Sequence, residues 1–306
     1  MKLFIDRLID GIKQKQTRVC VGLDPHLDLL PTPLLGEIAG VEEYSQASVR
    51  GLAAIILEFN RKIIEEVSDV VAVVKPQIAF YEELGPAGME TLFATIDYAQ
   101  KQGLPVLLDA KKNDIGSTAG AYARAYLEER PDRPAADALT INPYLGGDGV
   151  KPFLKYPEKG AFALVRTSNQ SAGDIQDLRL ADEGCVYERV GLMVKQWGKD
   201  CRGRSGYSNL GAVVGATYPR ELQQLRRQLP GVFFLIPGYG AQGGGASDVV
   251  GGFDENGLGA VVNSSRGISF AARRGPLSQD YDERDFARAA RTSAIMMRDS
   301  INQALE

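Results

Sequence analysis

Short apolar runs alternate with longer amphipathic stretches along most of the chain. Eight of the runs are rich in β-branched residues and have the length of buried strands, and they cover residues 18–23, 70–75, 106–109, 138–141, 162–166, 212–215, 233–237 and 260–263. Apolar positions with helical spacing lie between most of them, at residues 49–66, 87–102, 117–128, 187–198, 220–228 and 281–304. Eight strands that are each followed by a helix or a loop predict an α/β fold, a (β/α)8 TIM barrel, with a doubly wound parallel sheet as the structural alternative.

The remaining segments predict how this barrel is covered. Residues 3–15 form an amphipathic pattern ahead of the first strand, and we expect this N-terminal helix to cap the floor of the barrel. Four connections are enlarged, at residues 26–44, 169–184, 244–258 and 271–280. We expect all four to follow strands and to lie on the functional face. Because no linker or repeat divides the sequence, we predict a single barrel domain over residues 1–306.

Charged residues follow three of the predicted strands. Asp109 and Lys111 lie two residues apart at the end of an apolar run, where alternation along a strand places them side by side, and Asp114 follows them. Lys75 ends a valine-rich run, and Asp24 follows the first strand. Barrels bind their ligands at the carboxyl ends of the strands, and a buried lysine there needs anionic partners. We therefore predict a charged cluster at the mouth of the barrel, with a surface group of salt bridges as the alternative.

The last two predicted strands are followed by loops that suit an anion. The glycine-rich residues 236–245 follow strand seven, and glycine lets backbone N–H groups approach an anion closely. Strand eight is followed by residues 263–267, which include Arg266, whose planar guanidinium matches phosphate oxygens. Barrels frequently bind phosphate with these two loops, so we predict a phosphate site there, with purely structural turns as the alternative.

Composition narrows the chemistry further. The net charge of −4 offers no basic surface for nucleic acid, and no apolar run approaches the ~18 residues of a membrane span. The N-terminal residues lack the apolar core of a signal peptide, and the three cysteines lack metal-ligand spacing, so we expect a cytoplasmic protein without a metal site. His26 is the single histidine, and we expect it to be a loop residue. Acid–base chemistry must then come from Asp, Glu, Lys or Tyr.

These features predict an enzyme that acts on a small phosphorylated anion, and the residues that carry them closely resemble the orotidine 5′-phosphate decarboxylase family in its longer bacterial form. The resemblance covers nearly the whole chain and is carried by residues 22–24, 74–76, 109–118, 142–146, 166–169, 237–244 and 265–267. The Asp-x-Lys-x-x-Asp pattern of Asp109, Lys111 and Asp114 belongs to a whole superfamily. Lys75, upstream of that pattern, is the more discriminating feature.

The resemblance implies roles for individual residues. It makes Lys75, Asp109, Lys111 and Asp114 an alternating array of catalytic charges. It implies that Asp24 and Lys75 contact the ribose hydroxyls of the substrate. Ser168 and Gln242 would contact the pyrimidine or its bridge to the phosphate. Arg266 would contact the phosphate. The alignment leaves the pyrimidine contact open among Thr167, Ser168 and Asn169.

The resemblance also implies a homodimer as the working unit. In such a dimer Asp114, Ile115 and Thr118 reach into the site of the partner subunit. The implied reaction is that of a carboxy-lyase: orotidine 5′-phosphate loses CO2 and becomes uridine 5′-phosphate, the last step of UMP biosynthesis, without a cofactor. Lys111 stabilises the carbanion that forms at C6 and then protonates it.

Two other functions stay open at this point. A sister enzyme of the same superfamily, a sugar-phosphate decarboxylase or aldolase that uses Mg2+, shares the Asp-x-Lys-x-x-Asp pattern. Such enzymes place a glutamate for the metal where this chain has Lys75, and a cation there repels Mg2+. The second alternative is a non-catalytic barrel that only binds nucleotides.

Overall fold

Eight parallel strands form the centre of the computed structural model, which describes residues 2–181, 184–240 and 243–306. The strands are β1 (Val19–Leu23), β2 (Val73–Pro76), β3 (Leu107–Lys112), β4 (Ala138–Ile141), β5 (Gly160–Arg166), β6 (Leu210–Val214), β7 (Phe234–Ile236) and β8 (Ala260–Ser264). Their order in the sheet is β2-β1-β8-β7-β6-β5-β4-β3. Bridges from Val74 to Val106 and from Gln77 to Asp109 join β2 to β3 and close the sheet. The predicted (β/α)8 barrel is confirmed, and the doubly wound alternative is wrong.

Helices alternate with the strands and pack around the barrel. Those of ten or more residues in the described ranges are α1 (Phe4–Lys15), α2 (Val49–Val67), α3 (Gly85–Lys101), α4 (Gly116–Leu127), α5 (Val186–Trp197), α6 (Pro219–Gln228) and α7 (Phe286–Leu305). Short helical turns occupy the connections, at Leu27–Leu29, Thr32–Leu34, Leu35–Ala39, Tyr44–Gln46, Ala79–Glu82, Gly147–Val150, Lys151–Lys155, Gln170–Ala172, Gly173–Gln176, Ala246–Val249, Val250–Gly252, Arg266–Ser269, Pro276–Gln279 and Glu283–Asp285. No helix in the described part of the chain has both the length and the apolar character that crossing a membrane requires.

Helix α2 illustrates how the sequence determines these elements. Ser48 precedes the helix, and its hydroxyl accepts the backbone N–H of Gly51, which satisfies one of the free donors at the helix start. Ile55, Phe59 and Ile63 recur at a spacing of four residues and are fully buried on one face. That face packs against the barrel and against α3 and α7.

The C-terminal helix begins later than the sequence pattern predicts. The pattern covers residues 281–304, whereas α7 begins at Phe286. The Asp282 carboxylate accepts the backbone N–H of Arg284 and starts a short 3₁₀ turn, Glu283–Asp285, in place of the first helical turn. Aspartate side chains favour such local turns over the helix interior.

Helix α1 covers the floor of the barrel, as predicted. Its apolar residues, among them Phe4, Leu8 and Ile12, are buried in a cluster with inward-facing residues of the strands. The backbone N–H of Ile5 donates to the side-chain oxygen of Asn209 at 3.0 Å. A Cβ at Gly160, the first residue of β5, would lie 2.4 Å from the Phe4 ring, so only glycine lets the helix approach this closely. The closed floor leaves the opposite end of the barrel for ligands.

Three of the four enlarged connections lie on the functional face. Residues 26–44 follow β1, residues 271–280 follow the turn after β8, and the described part of residues 169–184 follows β5. The first two contact each other, because the Arg273 guanidinium donates to the carbonyl oxygen of Leu30 at 2.9 Å.

The fourth enlarged connection does not lie entirely on the functional face, contrary to the prediction. Residues 244–258 start at the functional face, but they contain the helical turns that link β7 to β8 and therefore descend to the start of β8. Leu258 packs against the apolar cluster of the floor, and the carbonyl oxygen of Gly257 accepts from Arg18 at 2.9 Å. The expectation that all of this segment lies at the functional face is wrong, because a connection between parallel strands must return to the opposite end of the barrel.

Candidate active site

Four charged side chains meet at the carboxyl ends of β1, β2 and β3. The Lys75 ammonium lies 3.0 Å from Asp109 Oδ2 and 3.8 Å from Asp24 Oδ1. The Lys111 ammonium lies 2.6 Å from Asp109 Oδ1. Asp109 therefore holds one lysine on each carboxylate oxygen. Lys75 is only 3% exposed and Asp109 only 9%, so this is a buried array and the surface alternative is wrong.

Two polar residues complete the surroundings of Asp109. The Thr140 hydroxyl, on β4, donates to Asp109 Oδ1 at 2.8 Å. The Gln77 amide donates to Asp109 Oδ2 at 3.0 Å. With two ammonium groups and two further donors, both carboxylate oxygens are fully engaged, and such a carboxylate is held in one orientation.

The backbone conformation that brings Lys111 to Asp109 differs from the regular strand that the sequence predicts. Its φ of 47° is left-handed, and the pairing of β3 with β4 is irregular between Leu108 and Lys112. Regular alternation therefore does not extend through Lys111. The Thr140 hydroxyl accepts the N–H groups of Ala110 and Lys111, each at 2.9 Å, and supports this conformation. A left-handed non-glycine residue costs about 1–2 kcal/mol, and such strain is typical of functional positions.

Burial and charge act in opposite directions on this array. Burial favours the neutral form of Asp109, but the ammonium groups of Lys75 and Lys111 outweigh it and hold the pKa of the carboxyl well below its ordinary range. Burial likewise disfavours the charged form of Lys75, but the Asp109 and Asp24 carboxylates outweigh it and raise the pKa of Lys75 above its ordinary value. Both groups are therefore ionised at neutral pH.

The array forms one wall of a cavity of about 480 Å³. Leu164, Val213 and Leu235, from β5, β6 and β7, give it an apolar base that is continuous with the cluster above α1. The segment Thr167, Ser168 and Asn169 after β5 lines the cavity as well. A cavity of this size with an apolar base and polar walls suits a small polar ligand that has a flat apolar face.

The loops after β7 and β8, where the sequence predicts a phosphate site, line another part of the cavity. Gly238, Tyr239, Ser265 and Arg266 line it. A Cβ at Gly22, on β1, would lie 1.8 Å from the Ser265 hydroxyl oxygen, so glycine on β1 lets the β8 loop approach that strand. Arg266 forms no ion pair with any residue that the structure describes, so its guanidinium is available to an anion.

The structure brings most of the predicted site residues together in this cavity: Asp24, Lys75, Asp109, Lys111, Ser168 and Arg266. Asp114, Ile115 and Thr118 do not line it, and Ile115 is 58% exposed. Gln242 lies outside the described residues. His26 does not line the cavity and packs edge-on against Phe80 with ring centroids 4.5 Å apart, as expected of a loop residue.

Three polar residues of the array or the cavity were missed from the sequence. Gln77 had a usable signal, since it lies two residues after Lys75 and thus on the same side of the extended chain that continues β2. Thr140 is the polar residue in an otherwise apolar strand, which is a weaker signal. Gln176 also lines the cavity, and no pattern in the sequence around it indicates this.

The Cys20 thiol and the absence of a metal site among the residues that the structure describes limit the chemistry further. Burial raises the pKa of the Cys20 thiol to about 12, so it stays protonated below the cavity. Within the described ranges, no group of three or more His, Cys, Asp and Glu side chains is arranged to hold a metal ion.

Comparison with known proteins shows which family the chain resembles. A family model described as "Orotidine 5′-phosphate decarboxylase / HUMPS family" matches residues 17–276, a range that includes every residue of the cavity named above. The chain is 44% identical to orotidine 5′-phosphate decarboxylase of Rhodopirellula baltica, with 98% of this chain and 99% of that protein covered. It is 42% identical to the protein of the same name in Clostridium tetani, with 99% of each covered. The solved structure of Leishmania donovani OMP decarboxylase is 32% identical, has a TM-score of 0.71, and the match covers 97% of this chain and 98% of that one.

Proposed function

The chain belongs to the orotidine 5′-phosphate decarboxylase family and catalyses the decarboxylation of orotidine 5′-phosphate to uridine 5′-phosphate, and we propose that Lys111 carries out the chemical step. The observation that carries this proposal is the Asp109 carboxylate held between two ammonium groups at the mouth of the barrel. Lys75 is buried against Asp109, whereas the Lys111 side chain is half exposed toward the cavity. Lys111 is therefore the lysine that a substrate can reach.

The chemistry follows from the charge on Lys111. When the bond from C6 to the carboxylate carbon breaks, CO2 leaves and the electron pair stays on C6, where it cannot delocalise into the ring π system. An ammonium group next to C6 stabilises this carbanion more than it stabilises the substrate, which is the requirement for catalysis. Lys111 then transfers a proton from Nζ to C6 to give uridine 5′-phosphate, and the amine regains a proton from water. We assign Asp109 the role of holding both ammonium groups in place.

The ribose hydroxyls are proposed to bind at Asp24 and Lys75. Asp24 Oδ1 is buried and accepts no hydrogen bond from any described residue, and the Lys75 ammonium is 3.8 Å away. A buried carboxylate oxygen without a donor is costly, and a ribose hydroxyl would satisfy it. The two residues thus place the sugar next to the reacting array.

The phosphate is proposed to bind at Arg266 in the loop after β8. Arg266 lines the cavity and can form paired hydrogen bonds with phosphate oxygens. Gln242 is proposed as a second contact from the family resemblance. Ser168 is proposed to contact the pyrimidine above the apolar base of the cavity, with Thr167 and Asn169 as its neighbours. Binding energy at the phosphate, far from C6, contributes to orienting the reacting carbon.

The proposed reaction needs neither a metal nor a cofactor. The Lys75 ammonium stands where the Mg2+-dependent sister enzymes of the superfamily have a carboxylate, and its charge repels a divalent cation. We expect the purified protein to remove the ultraviolet absorbance of orotidine 5′-phosphate equally fast with and without EDTA.

Two other results of this assay would support the alternative functions. Turnover of a sugar phosphate that appears only with Mg2+ would instead indicate a sister enzyme. Binding of orotidine 5′-phosphate without any change in its absorbance would indicate a nucleotide-binding barrel without catalysis.

We propose a homodimer as the working unit. Ile115, Tyr144 and Leu145 are large apolar residues with exposed fractions of 58%, 80% and 43%. They lie in the adjacent loops after β3 and β4, since the Asp114 carbonyl oxygen and Leu145 Cβ both lie within 4 Å of a Cβ placed on Gly149. An exposed apolar patch of this kind marks a protein interface. Pairing of two such patches would bring Asp114, Ile115 and Thr118 toward the partner subunit's cavity.

Mixing two inactive variants tests this arrangement. If Asp114 serves the partner subunit's site, a heterodimer of Lys111→Ala and Asp114→Ala contains one intact site, and the mixture should regain about a quarter of the wild-type rate after subunit exchange. A mixture of Lys111→Ala with Lys75→Met is the matched control, because both changes lie in the site of their own chain and no intact site can form. Recovery in neither mixture would show that Asp114 does not act across the interface.

Two further proposals concern the whole chain. Residues 1–306 work as one barrel domain, which is supported by α1 on the floor of the barrel and by α7 packed against α2. The cytoplasm is the proposed compartment, since Cys20, Cys185 and Cys201 are all free thiols, the state that a reducing compartment maintains.

A further inference from the structure

One side chain of the enlarged connection after β5 is bound to the end of that strand. The Gln176 amide oxygen accepts the backbone N–H of Thr167 at 3.0 Å, and its amide nitrogen donates to the Thr167 hydroxyl at 2.7 Å. The same amide oxygen accepts from the Arg166 guanidinium at 3.5 Å. A single amide group therefore fixes both the backbone and the side chain of Thr167.

The neighbours of Gln176 hold it in this position. Asp177, the next residue, forms an ion pair with the Arg166 guanidinium at 3.0 Å. Arg166 is 2% exposed, and its guanidinium lies 3.9 Å from the centre of the Tyr218 ring and 5.3 Å from the centre of the Tyr187 ring. A buried guanidinium that contacts a carboxylate and two aromatic rings is held in one position, so the loop brings Gln176 to Thr167 in a preorganised way.

The contact between Gln176 and Thr167 affects substrate recognition, because the residue after Thr167 is Ser168, which is proposed to contact the pyrimidine. Thr167 and Ser168 both line the cavity, next to Leu164 of the apolar base. Arg266, at the end of β8, belongs to the other part of the cavity. A change in the position of the segment after β5 should therefore affect the base of a bound nucleotide and leave the phosphate contact as it is.

We propose that Gln176 is a positioning residue for base recognition, which acts by fixing the Thr167–Ser168 backbone against the pyrimidine. This inference rests on the proposed role of Ser168 in the decarboxylase site. Through Gln176, the enlarged connection after β5 contributes to the selection of a nucleotide over a simple sugar phosphate.

The test compares two ligands that share the sugar phosphate and differ in the base. Dissociation constants of uridine 5′-phosphate and of ribose 5-phosphate are measured by calorimetry for the wild type and for Gln176→Ala. We expect uridine 5′-phosphate to bind roughly tenfold more weakly to the variant, because the N–H of Thr167 loses its acceptor under the bound base. Ribose 5-phosphate should bind equally well to both proteins.

Two further substitutions serve as rescue and control. Gln176→Glu keeps an acceptor for the Thr167 N–H and adds a negative charge near Arg166, so it should recover most of the affinity for uridine 5′-phosphate. Gln170→Ala makes the same truncation as Gln176→Ala in the same loop, at an exposed side chain outside the cavity, and should bind both ligands as the wild type does.

Defined outcomes overturn the inference. Equal weakening of both ligands by Gln176→Ala would indicate a general structural role, and unchanged affinity for uridine 5′-phosphate would exclude any role. If Gln176→Ala does not fold, Asp177→Asn replaces it, because the Asp177 side chain is 49% exposed and its change releases the same loop. Turnover of orotidine 5′-phosphate by the wild type is measured separately, so a failure of the proposed function shows there and not in the ratio of the two ligand affinities.

Discussion

Lys111→Ala is expected to abolish decarboxylation while the barrel stays folded. The substitution removes the cation next to C6 and the proton that C6 receives. Electrostatic stabilisation and general acid catalysis contribute roughly 10²–10³-fold and 10²–10⁴-fold, so kcat/KM should fall by roughly 10⁴- to 10⁷-fold. Because the Lys111 side chain is 47% exposed, its loss should change the free energy of unfolding little. The measurement is the loss of orotidine 5′-phosphate absorbance at high enzyme concentration.

Lys112→Ala is the matched control for this prediction. Lys112 is the next residue, but its ammonium pairs with Glu82 at 3.0 Å and lies 5.3 Å from the centre of the Tyr122 ring, outside the cavity. We expect this variant to keep a rate close to that of the wild type. A Lys111→Ala protein that retains more than about a tenth of the wild-type rate would contradict the assignment of Lys111 as the proton donor.

Asp109→Asn is expected to lower both activity and stability. The substitution leaves the buried Lys75 ammonium with Asp24 at 3.8 Å as its remaining carboxylate. Breaking a buried ion pair by removing one partner destabilises proteins by about 3–5 kcal/mol. The Lys111 ammonium also loses its 2.6 Å partner and its fixed position, so kcat should fall by at least ~10²-fold. Urea unfolding and steady-state kinetics measure the two effects.

The difference in the free energy of unfolding between the wild type and Asp109→Asn should change with pH in a definite direction. The pKa of Asp109 is lowered on folding, so its stabilising contribution is complete above the unfolded value of about 4 and is lost as the pH falls through the lower folded value. The pKa of Lys75 is raised on folding, so its contribution is complete below about 10.4 and is lost only as the pH rises through the higher folded value. The difference between wild type and Asp109→Asn should therefore be constant from about pH 5 to 9 and narrow below about pH 4.

Asp97→Asn is the control for the unfolding experiment. Asp97 forms an exposed pair with Lys101 on α3, and such pairs contribute little to stability. A loss of stability in Asp109→Asn no larger than that in Asp97→Asn would show that the buried array does not stabilise the fold.

The buried array also explains why the site tolerates a strained residue. Thr140 accepts two N–H groups around Lys111 and donates to Asp109, so one hydroxyl links the left-handed backbone to the carboxylate. The barrel provides this hydroxyl from the neighbouring strand β4, which is buried. The position of the Lys111 ammonium is therefore set before substrate binds, which is the condition for preorganised electrostatic stabilisation.

The barrel and the strand-end residues Lys75 and Asp109 could be predicted from local patterns in the chain. Apolar runs of strand length and helical spacing reflect which face of each element is buried, and this pattern is local to each element, so all eight strands were predictable. Lys75 and Asp109 could be placed at strand ends for the same reason, since the carboxyl ends of parallel strands must meet.

The contacts between groups from different elements could be known only from the folded molecule. The hydroxyl of Thr140 reaches Asp109 because β4 pairs with an irregular part of β3, and Gln176 reaches Thr167 because a loop folds back onto β5. The descent of residues 253–258 to the floor of the barrel likewise depends on where β8 begins. Such contacts depend on register between strands and on the path of loops, which are set by the packing of the whole barrel and leave no periodic signal in the chain.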